Sequence, residues 1–197
     1  NVGFVYSNNA TLHMRDEFKP FDPLYGWTHS TFNWKGKELY VMHSFPASSH
    51  SVGYIWYAPD HVRSWRTSVY KELGGHNVEL SICDDHELMI RTYMNTKMFH
   101  IPEPLYIYRV TGDNTWLERN QAIQLKTVEL FNQNAMMLAE KDAKDNELLL
   151  VDLGGGLNPK PGYLTIDKEG ADINFDLDKG IPLPDNSVGV LHASHVI

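Results

Sequence analysis

The sequence predicts an α/β protein in two regions, and three observations carry that prediction. Short apolar runs end in glycine or polar turns, as buried strands do; residues 117–142 repeat apolar side chains at helical spacing without Pro or Gly. Beyond the polar run Glu140 to Asn146 the pattern changes to strand, glycine turn, strand, the signature of a parallel sheet. The regions are 1–116, a helical linker at 117–146, and 147–197.

The elements follow in order. Val2 to Tyr6 is an apolar run ending in Ser7-Asn8-Asn9, which predicts a short buried strand running into a loop. Segments 39–45 and 52–58 are strand-like, separated by Pro46 and the run Ser48-Ser49-His50-Ser51. Segment 60–73 predicts a helix stopped by Gly74-Gly75. A second helix starts at Asp84 or Asp85 and runs to about Asn95: Leu88, Met89 and Tyr93 share its inner face, and the acidic start complements the helix dipole. In the 117–142 helix the repeating set is Leu117, Ile123, Leu125, Val128, Leu130, Phe131, Met136, Met137 and Leu138. Leu148 to Val151 then predicts a sheet strand leading into Asp152-Leu153-Gly154-Gly155-Gly156, with further short strands at 163–167, 173–177 and 188–193.

Composition narrows the function classes. The chain has 197 residues and a formal charge of -8, and general nucleic-acid binders instead carry a Lys/Arg excess to replace phosphate counterions. Cys83 is the single cysteine, so no intrachain disulfide framework exists, which suits a reducing cytoplasm. No window approaches the apolar length of a membrane span, and Asn1 to Asn9 lacks the basic start of a signal peptide. A start other than Met leads us to expect a piece of a longer chain. Association of copies into a homo-oligomer is left open.

Two patterns carry chemistry. Cys83-Asp84-Asp85-His86-Glu87 places carboxylates at a helix start; they serve either as solvated caps or as a base that takes a proton from a hydroxyl. Asp85 precedes Leu88 and Met89 by one turn and so shares the face that packs inward. The scattered histidines read as hydrogen-bonding groups rather than metal ligands, and no metal ligand is assigned. Tyr54, Trp56, Tyr57 and Trp65 read as core, with stacking on a sugar ring as the alternative. In the second region, glycines let the backbone turn tightly and approach a ligand, and Asp167 at the next strand's end is placed to accept two ribose hydroxyls.

Ala58 to Gly75, then Asp84-Asp85-His-Glu-Leu-Met-Ile-Arg91, then Ile101-Pro-Glu-Pro-Leu-Tyr-Ile-Tyr-Arg-Val110 resemble the C-terminal half of an inverting family 2 glycosyltransferase of GT-A fold. The resemblance implies a nucleotide-sugar donor, a glycan or other hydroxyl acceptor, Asp85 as catalytic base, Asp84 as its acidic neighbour, and a divalent metal (Mn or Mg). The family's Asp-x-Asp metal motif has no counterpart in a suitable place; Asp176-Leu177-Asp178 lies beyond the resemblance and is rejected. Thr111 stands where many relatives place a His. Val151 to Tyr163, Ile166-Asp167, Ala171 to Leu177, and Leu183 to Ile197 resemble the opening of a class I S-adenosylmethionine-dependent methyltransferase with a Rossmann-like sheet. That resemblance implies Gly154 and Gly156 beside the methionine part of S-adenosylmethionine, Asp167 on its ribose, and Asp176 with Leu177 near its adenine. Both likenesses are partial, so the chain is expected to be a fragment that holds neither ligand tightly. Two other readings compete: a methyltransferase whose first part recognises substrate, and a binding module without catalysis.

Overall fold

The computed structural model describes residues 1–14, 20 and 22–193. They form two compact units, Asn1–Asn134 and Ala135–Ile197, so the division falls inside the long helix. Ser194 to Ile197, the end of the last sequence motif, lie outside the described residues.

The first unit is built on a mixed sheet around β1 (Val2–His13). β1 pairs antiparallel with β3 (Lys37–Met42) along its second half and with β4 (Arg63–Trp65) along its first, and parallel with β5 (Lys97–Val110) on the other side. β2 (His29–Trp34) extends the sheet as a hairpin with β3. Among the described residues α1 (Ser49–Tyr54), α2 (Thr67–Glu72) and α3 (Asp84–Asn95) precede β5. Leu88, Met89 and Ile90 on α3 are fully buried, as are Phe4 on β1 and Val52 on α1.

Three sequence expectations change here. β1 continues through Ser7, Asn8 and Asn9, expected as a loop, because each buried polar side chain finds a distant partner. Ser7 Oγ donates to His61 O and accepts from Val62 N; Asn8 Oδ1 accepts from Ser44 N at 2.9 Å; Asn9 Nδ2 donates to Asp60. Segment 52–58, expected as a strand, is instead entered by helix α1, nucleated by a capping box in which Ser48 and Ser51 each satisfy the other's backbone N–H. Segment 60–73, expected as one helix, divides: β4 pairs with Phe4 to Tyr6, and only Thr67–Glu72 is helical.

α4 (Thr115–Glu118) and α5 (Asn120–Asp145) cover the long helical stretch. The second unit holds a four-stranded sheet in the order β8-β7-β6-β9, every neighbouring pair parallel. Its strands are β6 (Leu149–Leu153), β7 (Leu164–Asp167), β8 (Ile173–Asn174) and β9 (Val188–Ala193). Alternation sorts its side chains: Leu150, Tyr163 and Val190 pack with Ala143 of α5, while Val151, Leu153 and Ile166 pack with Phe175, Leu177 and Leu183.

Candidate functional site

In the first unit Asp84 and Asp85 stand in the first turn of α3, entered through Cys83 in a left-handed conformation (φ 59°). Asp85 Oδ1 accepts its neighbour's amide from His86 at 2.9 Å, and Oδ2 accepts Arg63 Nη1 at 2.6 Å. That arginine is held at two further points: Nε donates to Pro59 O and Nη2 to Tyr57 O, and its side chain is 6% exposed against 37% for Asp85. The carboxylate therefore meets solvent while its positive partner is locked behind it. His86, next in the chain, is fully buried, with Nε2 on Val52 O at 2.7 Å; burial holds its pKa below the ordinary histidine value, so it is a neutral tether between α3 and α1. Glu87 pairs with Arg91, which also donates to the carbonyls of Leu73 and Gly75 and so fixes the Gly74-Gly75 turn against α3.

A concavity of about 450 Å³ lies across β1, β4 and β5, lined by Val2, Val5, Trp65 and Phe99 among others, and Asp85 is not in its wall. Among the described residues no group of three or more His, Cys, Asp or Glu is arranged to hold a metal ion.

In the second unit the glycine turn and Asp167 meet at the carboxyl end of parallel β6 and β7. Gly154 and Gly156 have φ of 70° and 47°, conformations that favour glycine. A Cβ on Gly156 would stand 3.1 Å from Asp167 Oδ2, and one on Gly155 would stand 2.5 Å from Asp152 Oδ2. The turn is therefore moulded over two carboxylates. Asp167 Oδ1 accepts Lys168 N at 2.6 Å, and Lys168 Nζ reaches Asp176 at 3.3 Å, which gathers the expected acidic residues at one sheet edge. Leu177 instead joins the core beneath the sheet.

Sequence reasoning passed over the pair under the turn. Asp152, 3% exposed in its side chain, accepts His192 Nδ1 at 2.8 Å and Lys160 N at 2.8 Å. Burial alone would raise its pKa, but these hydrogen bonds and the adjacent positive groups outweigh it and hold the carboxyl below the ordinary carboxylate value. The available signal was a carboxylate set inside the apolar run Leu148 to Leu153. Arg63 and the Asp60-His61 pair were likewise missed: the contacts that distinguish them, Arg63 with Asp85 and Asp60 with Asn9, span 22 and 51 residues.

No family model, curated protein or solved structure matches the chain. Among the described residues no helix is long and apolar enough to cross a membrane.

Proposed function

We propose that the first unit is part of an inverting glycosyltransferase of GT-A type in which Asp85 is the base, working within the cytoplasm. The observation that carries this reading is the half-exposed Asp85 carboxylate, presented from a helix start and braced by a buried arginine. A carboxylate so held can take the proton of an acceptor hydroxyl as its oxygen attacks the anomeric carbon of a nucleotide-sugar and the diphosphate departs from the opposite side. Asp84 stands beside it in the same first turn of α3. Asp85→Asn should lower turnover of a nucleotide-sugar donor by about 10² or more, with donor binding nearly intact. Near-normal turnover in the variant would remove Asp85 from the mechanism.

A second observation supports a methyltransferase reading of the other unit: the Gly154 to Gly156 turn lies against Asp167 at the carboxyl end of a parallel pair, where open α/β sheets bind nucleotides. The side-chain-free turn fits close approach of S-adenosylmethionine, which when bound supplies an electrophilic methyl group. Asp167 would accept its ribose hydroxyls, with Gly154 and Gly156 beside the methionine portion and Asp176 toward the adenine. Titration of S-adenosylmethionine in a calorimeter should show at most weak binding, which Asp167→Ala diminishes; tight binding, or weak heat unchanged by the substitution, would refute the assignment.

A further inference from the structure

We propose that Asp60, His61 and Tyr106 form a carbohydrate-binding shelf in the first unit, which takes a pyranose ring of the acceptor beside Asp85. The inference rests on the glycosyltransferase reading for its acceptor role and on independent geometry for sugar binding. The His61 ring stacks on Tyr106 with centroids 5.2 Å apart and planes 26° apart, and lies 6.0 Å from the ring of Tyr108. Tyr106 and Tyr108 are two residues apart on β5 and so point to the same side of the sheet. Tyr106 is 39% exposed and the His61 side chain 36%, so each ring of the stack keeps part of its surface open to solvent. Aliphatic C–H faces of a pyranose pack on such surfaces, whose ring faces are electron-rich.

Polar groups stand at the edge of the shelf in the number a sugar needs. Asp60 Oδ1 accepts His61 N at 2.8 Å and the ring Nδ1 at 3.2 Å; Oδ2 accepts Asn9 Nδ2 at 2.5 Å. Among the described residues Oδ2 has this one partner, which leaves it a lone pair for a hydroxyl. The His61 ring contacts Asp60 through Nδ1, so Nε2 is the ring nitrogen not engaged by that carboxylate. Asn114, which donates to Tyr108 Oη at 3.4 Å, closes the far end. The shelf is tied to the proposed base through one guanidinium: Arg63 binds the carbonyls of Tyr57 and Pro59, which flank the segment leading to Asp60, and also binds Asp85.

Saturation-transfer NMR tests this with cellobiose, maltose and N,N′-diacetylchitobiose as probes and sorbitol as an open-chain control. At least one disaccharide should receive saturation at its ring C–H protons, sorbitol none. Tyr106→Ala should weaken that binding by about tenfold, and Tyr106→Trp should retain it. Absence of transfer to all three disaccharides, or transfer undiminished in Tyr106→Ala, overturns the shelf. Displacement by UDP-glucose would assign the surface to the donor's sugar and overturn the acceptor role. Disaccharide binding without any nucleotide-sugar turnover would refute the glycosyltransferase reading and leave the sugar-binding shelf standing. Turnover with an unchanged acceptor KM in Tyr106→Ala would do the reverse.

Discussion

At the scale of single residues, the second unit turns on Asp152. Its carboxylate lies where a Cβ at position 155 would fall, and both oxygens are engaged, by His192 and by the Lys160 amide. Gly155→Ala must displace a hydrogen-bonded side chain or the turn itself, and should cost about 1 to 3 kcal/mol in denaturant unfolding, the usual range for forced overpacking. The same residue sets a pH dependence. Because the folded-state pKa of Asp152 is depressed, its stabilisation is fully present above the unfolded carboxylate value and is lost as pH falls through the lower folded value. Wild-type stability should therefore fall below about pH 4, and Asp152→Asn should flatten that part of the profile. A variant profile with the wild-type acid slope would contradict this role.

At the scale of elements, α3 and the β6-turn-β7 segment were legible, and α1 and the outer half of β1 were not. An acidic first turn followed by Leu88 and Met89, and an apolar run closing on glycines, are local patterns that need no distant partner. The buried run Ser7 to Asn9 reads as polar loop because its satisfaction comes from Ser44, Asp60 and His61, tens of residues away. The serine run before α1 reads as a breaker, yet the reciprocal Ser48 and Ser51 bonds make it a helix start. Ser48→Ala should therefore cost about 1 kcal/mol by urea unfolding, the typical value of a lost N-cap. A cost near zero would mean that packing of Val52, rather than the cap, holds α1. The site divides in the same way: Asp85 and Asp167 could be found from local pattern, whereas Arg63 behind one and Asp152 near the other depend on pairing across the fold.

At the scale of the whole molecule, one thiol reports on the first unit. Cys83 is the chain's single cysteine, buried at 7% exposure, and burial pushes its pKa up. Labelling with a disulfide reagent at pH 8 should be slow in the native protein and accelerate with denaturant in step with unfolding of the first unit. Rapid native labelling would show that the start of α3, and with it Asp85, opens readily. The net charge of -8 lacks the Lys/Arg excess that general nucleic-acid binders use to replace phosphate counterions. The proposed glycosyl transfer fixes the anomeric configuration of the product, read by proton NMR after incubation with uridine-, guanosine- and thymidine-diphosphate sugars and a disaccharide acceptor. Displacement by an oxygen whose proton passes to Asp85 predicts a product of configuration opposite to the donor, formed by the wild type and nearly abolished in Asp85→Asn; retained configuration, or undiminished product from the variant, would contradict it.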